Sequence, residues 1–142
     1  MSRRRARYRA PIAELADIAT RADILAITTA FYERAFADEL LGPVFVDVAQ
    51  LDLASHLPQI TDFWETILLG AQVYRGGAFF PHAMLHRQVP LTADHFNRWL
   101  ELWEATIRSL HAGPTAEAAI AHAQRVATAF HGRLWRLAET AR

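Results

Sequence analysis

The placing of its helix breakers constrains this chain most. Gly42-Pro43, Gly70, Gly76-Gly77, Pro90 and Gly113-Pro114 fall between segments in which apolar residues recur at i, i+3 and i+4. That period puts side chains on one face of a helix, whereas a strand alternates every second residue. No stretch alternates apolar and polar residues for long between tight-turn dipeptides. The expected class is all-α.

The first strong helix is expected over about 20–37, with Ile24, Ile27, Phe31 and Ala35 as its buried stripe and Tyr32 and Phe36 beside it. It should end before Gly42, expected to take a left-handed cap, and Pro43, which forbids continuation. A shorter helix is expected before it, over 12–19. The next runs from about Leu53 to Leu69, with His56, Ile60, Phe63 and Ile67 on one face, Trp64 adjacent and Pro58 within the first two turns. A short segment, Phe79 to Arg87, needs packing to be stable. Thr92 and Asp94 then supply start signals for a helix burying Phe96, Trp99, Trp103 and Ile107. A last helix over about 115–138 buries Ile120, Ala123, Ala127, Phe130 and Leu134. Four substantial helices with short connections imply a helical sandwich.

The chain has 142 residues, which favours one domain, expected over 12–142 behind a flexible Arg-rich tail at 1–11. Fifteen basic residues, all Arg, balance fifteen acidic ones. Nucleic-acid binders carry a basic excess, so no nucleic-acid partner is expected. Cysteine is absent, which excludes disulfides, thiolate chemistry and iron–sulfur clusters. No apolar run is long enough to span a bilayer, and no apolar stretch follows the Arg-rich start as in a secretory leader. No membrane association and a cytoplasmic location are expected.

Five residues carry the chemistry. His82 lies on the short segment between two long helices. Alone it reads as a surface residue, but haem iron needs one firm axial nitrogen that a short tethered helix can supply. Phe45 follows Gly42-Pro43-Val44 at a corner, either plugging the turn or wedging against a flat ring. Tyr32 interrupts an apolar face, so its hydroxyl must find a partner, either a backbone carbonyl or an iron-bound ligand. His56 begins a helix whose buried face continues with Ile60, Phe63 and Trp64; it is a surface His by default and a donor or gate if it faces a pocket. Trp99 offers one N–H on a large apolar body.

Phe31-Tyr32-Glu33-Arg34, Leu41-Gly42-Pro43-Val44-Phe45, His56-Leu57, Asp62-Phe63-Trp64, Tyr74-Arg75-Gly76, Pro81-His82 and His95-Phe96-Asn97-Arg98-Trp99-Leu100 occur in this order. Together they resemble the group III truncated haemoglobins. The resemblance covers about 23–103 strongly and the last helix more loosely. It implies a two-over-two helical sandwich around haem b. It implies His82 as the proximal iron ligand and Phe45 as the ring-stacking residue, with Tyr32, His56 and Trp99 as distal polar groups. Ile60, Phe63 and Trp64 line the pocket by the same match. Arg75 and Arg87 are further expected as propionate partners.

Three readings compete. His82 and His86 share a helical face and suggest zinc, but the spacer Ala83-Met84-Leu85 offers no Glu. A non-haem helical binding module would use the Arg-rich start. Within the haem reading, the chain either binds oxygen, nitric oxide and carbon monoxide, or turns over as a nitric oxide dioxygenase or peroxidase-like enzyme with an electron-donating reductase as partner.

Overall fold

Thr20 opens helix α1 (Arg21–Ala37) with a reciprocal cap: its hydroxyl accepts from the Asp23 N–H, and Asp23 accepts from the Thr20 and Ala19 N–H groups at 3.0 and 2.9 Å. The structure, a computed structural model, describes residues 14–74 and 79–140; the tail at 1–11 lies outside them. Ile24, Ile27, Phe31, Tyr32 and Ala35 are buried, the stripe that the periodicity demands. After α1 come α2 (Leu53–Leu69), α3 (Phe79–Gln88), α4 (Ala93–Leu110) and α5 (Pro114–Thr140). Among the described residues there is no strand. No helix among them is long and apolar enough to cross a membrane.

Two local expectations need correction. Residues 14–19 do not form a helix. Their non-helical backbone carries the Asp17 carboxylate to the start of α5, where it accepts from the Thr115 and Ala116 N–H groups, both at 2.9 Å. Those donors have no partner within their own helix, so Asp17 caps α5 from a distant part of the chain. Gly113 lies at φ +142, and a Cβ there would sit 2.5 Å from Asp17 Cγ. Gly42, in turn, is not a left-handed cap; among the described residues the positive-φ glycines are Gly70 and Gly113. What Gly42 supplies is close approach, since a Cβ on it would lie 2.5 Å from the Phe36 carbonyl oxygen. Asp38 finishes α1 instead, accepting from the Leu40 and Leu41 N–H groups at 3.0 Å each.

The corner between α1 and α2 holds an element that the sequence does not announce. Val44–Val48 winds as a π-helical turn, with the Ala49 N–H donating to the Val44 carbonyl at 2.8 Å. Asp52 then caps α2 through the Ala54 N–H, and Gly70 closes it in the left-handed conformation at φ 74. Pro58 is accommodated inside a continuous α2.

Helix α1 packs against α2 and α4, α4 against α5, and α2 against α5. This is the expected two-over-two helical sandwich. Thr28 and Thr61 bring their hydroxyls within 3.3 Å inside the α1–α2 joint, and Arg34 Nη1 donates to Thr106 Oγ1 across α1–α4. Helix α3 rests on α5. The apolar interior falls into two clusters. The larger joins α1, α2, α4 and α5 around Ile24, Phe31, Trp64 and Trp103. The smaller gathers Val44, Leu91 and Leu134 with Leu85 and Phe96 near α3.

Candidate functional site

A cavity of about 440 Å³ takes lining residues from both apolar clusters. Its size is within the range of small-molecule and cofactor sites. From α1 and the π-helical corner come Phe31, Tyr32, Val44 and Phe45; from α2 come His56, Ile60, Phe63 and Trp64. Helix α3 contributes His82 and Leu85, α4 contributes His95, Phe96 and Trp99, and α5 contributes Phe130. His56, Ile60 and Phe63 of α2 are only half-buried and face this space. Every described residue expected in the pocket lines it. Arg75 lies outside the described residues, while Arg87 is exposed on α3 and is not part of the lining.

The polar atoms are few. Tyr32 Oη lies 3.0 Å from His56 Nε2, with the rings at 83°. Burial pushes the Tyr32 phenol far above its ordinary value, so it keeps its proton. Burial, and after it the charge of His82, push the His56 imidazole down and favour its neutral form. With the His56 proton on Nδ1, the phenol donates to Nε2. Tyr32 also meets Phe45 nearly edge-on at 5.9 Å, which ties the corner to α1. The His82 ring packs against Phe130 at 5.1 Å.

His86, the rival ligand, is engaged elsewhere. Its Nδ1 accepts from the Leu91 N–H at 2.9 Å, and its ring meets Trp135 at 5.2 Å. Among the described residues no three His, Cys, Asp or Glu side chains form a group able to hold a metal ion. The zinc reading therefore has no third ligand there.

Two features lie beyond the sequence reading. His95 lines the cavity while its Nδ1 accepts from the Thr92 N–H at 3.0 Å, at the start of α4. Its spacing of four from Trp99 is the signal that could have found it. The three indoles of the lining also stack. Trp99 and Trp103 lie 6.1 Å apart at 5°, and Trp103 and Trp64 4.6 Å apart at 24°.

Aromatic walls, one cavity-lining imidazole on a short helix and a small set of hydrogen-bonding groups suit a flat apolar group carrying a metal that takes one nitrogen ligand. The division of the interior into two clusters fits the same group, which would join them. The residues present therefore fit a haem.

Comparison with known proteins agrees. A profile of the bacterial-like globin family matches residues 16–132. The group 3 truncated hemoglobin ctb of Campylobacter jejuni is 28% identical over 109 residues, covering 75% of this chain and 84% of that protein. The crystal structure of group III truncated hemoglobin from Campylobacter jejuni superposes with a TM-score of 0.72 at 27% identity, covering 82% of this chain and 92% of that one. The chain thus belongs to the bacterial-like globin family, whose members bind small ligands at a haem, and it resembles the group III truncated haemoglobins.

Proposed function

We propose that this chain is a haem b protein that binds oxygen and other diatomic ligands, with His82 as the proximal ligand of a five-coordinate iron. The observation that carries the reading is the meeting of His82 with the Tyr32–His56 pair on one apolar cavity. When bound, the haem supplies an iron centre able to take up oxygen, nitric oxide or carbon monoxide.

The chain's own residues do the rest. Ile60, Phe63 and Trp64 exclude water and offer apolar contact to a porphyrin, and Phe45 stacks on it. Arg75 answers a propionate. Tyr32 keeps its proton at Oη; with the His56 proton on Nε2 instead of Nδ1, that N–H donates to Oη and frees the phenol O–H to donate to a ligand carrying partial negative charge. His56 holds Tyr32 in place and gates the entrance, and Trp99 adds an indole N–H donor. Such fixed donors in a dry pocket cost little reorganisation when the ligand arrives.

The second reading is turnover, as a nitric oxide dioxygenase or a peroxidase-like enzyme served by an external reductase. The Tyr32–His56 pair favours it, since a phenol beside an imidazole can pass a proton as well as hold one.

The test is His82→Gly with and without added imidazole. The variant should lose stable haem binding, and free imidazole should restore the absorption of the wild type. An unaltered five-coordinate ferrous spectrum without imidazole would overturn the assignment of His82.

A further inference from the structure

We propose that Trp64, Trp103 and Trp99 form an electron relay from Tyr74 to the cavity, by which small one-electron reductants outside supply the electrons that reduce a hydroperoxide within. The proposal rests on the haem reading and adds to it a reaction partner and a route.

The geometry carries the argument. Trp99 and Trp103 are nearly parallel at 6.1 Å, and Trp64, from a different helix, continues the stack at 4.6 Å. Phe31 meets Trp99 and Trp103 at near right angles, at 6.0 and 5.4 Å, and fixes the spacing. Indoles and phenols are the most easily oxidised rings in proteins, and offset parallel rings at these separations keep each electron hop short. From Trp64 the ring contacts pass to Phe63 at 5.2 Å and from Phe63 to Tyr74 at 5.1 Å. Phe63 resists oxidation, so an electron crosses it in a single tunnelling step. Tyr74 is half-buried and, unlike the three indoles, does not line the cavity.

Proton inventory separates this route from its competitor. Trp103 Nε1–H donates to the Ala119 carbonyl at 3.3 Å, an acceptor too weakly basic to take the proton. Oxidised Trp103 therefore stays a protonated cation radical and readily passes the deficit onward. Tyr32, by contrast, has His56 Nε2 beside its phenol as a proton acceptor and would trap the deficit.

The reaction balances as ROOH + 2e⁻ + 2H⁺ → ROH + H₂O. The O–O bond breaks, and two molecules of a phenol- or ascorbate-type reductant each supply one electron and one proton. Tyr74 gives up its phenolic proton when oxidised and regains one when the reductant supplies its electron and proton.

The test uses the haem-loaded protein, a stoichiometric pulse of hydrogen peroxide and a nitroso spin trap, with adducts located by peptide mass spectrometry. Wild type should carry an adduct at Tyr74 in addition to the one trapped at Tyr32. Trp103→Phe should lose the Tyr74 adduct severalfold and gain at Tyr32 and Trp99, with helical dichroism and Soret position showing that the fold is kept. Tyr74→Phe, which leaves the cavity lining untouched, should shift the adduct to Trp64 and serves if Trp103→Phe does not fold. Adducts distributed alike in wild type and variants, or none at Tyr74 in wild type, would overturn the relay alone. A wild type that takes up no haemin, seen first as a missing Soret band, overturns the haem reading and the relay with it.

Discussion

Tyr32 and His56 hold one another in a pocket that keeps the phenol protonated and the imidazole neutral. If the phenol is the donor to a bound ligand, Tyr32→Phe should speed oxygen dissociation about tenfold, the worth of one lost hydrogen bond. Stopped-flow rates equal to wild type would take Tyr32 out of that role. Proton linkage gives a second expectation. His56, His86 and His122 are all held below their ordinary value of 6.5, first by burial and then by a neighbouring positive charge: His82, His131 and Arg125 respectively. The unfolded chain takes up protons as pH falls through that value while the folded chain resists. Stability should therefore be unaffected by these groups at higher pH and decline as pH drops from about 7 to 5. Thermal midpoints of the haem-free protein across that range measure the effect, and His56→Gln should flatten it. The site was legible in the sequence at Tyr32, His56 and His82, where polar rings interrupt apolar faces or stand on a short tethered helix. His95 was hidden, because a histidine in a first helical turn reads as a surface residue.

At the scale of elements, the spans of α1 and α2 were readable because the helical period stops near breakers, Gly42-Pro43 after α1 and Gly70 after α2, whereas the caps at Thr20 and Asp52 emerge only in the structure. Two elements were not. The cap that Asp17 places on α5 joins residues 98 positions apart, and no local pattern encodes such a contact. The π-helical turn at Val44–Val48 follows Pro43 with nothing in its composition to set it apart from an α turn. Asp17→Ala should leave the first N–H groups of α5 without a partner and cost on the order of 1 kcal/mol, read from the urea midpoint. Burial alone would push the Asp17 carboxyl up, but the backbone N–H groups of Thr115, Ala116 and Ile18 outweigh it and hold it low. That contribution is present above the ordinary carboxylate value and is lost as pH falls through the lowered one. Gly42→Ala should destabilise by roughly 1–3 kcal/mol, because its Cβ would meet the Phe36 carbonyl, which belongs to the helix backbone and cannot swing aside.

The molecule as a whole divides its apolar interior. The larger cluster joins α1, α2, α4 and the first part of α5, and α3 is held mainly through the smaller one, with the cavity bordered by both. The all-α class and the sandwich followed from helix period and short connections. The cavity did not, since periodicity says which face is apolar but not whether a neighbouring helix or a cofactor covers it. A group that fills the space and binds only the folded chain should raise the thermal midpoint in proportion to the logarithm of its concentration over its dissociation constant. The most direct check is to titrate haemin into the haem-free protein and record absorption, then reduce the product and add carbon monoxide. A Soret band that saturates at one haem per chain and shifts with carbon monoxide is the predicted result. A spectrum that remains that of free haemin throughout would contradict the account.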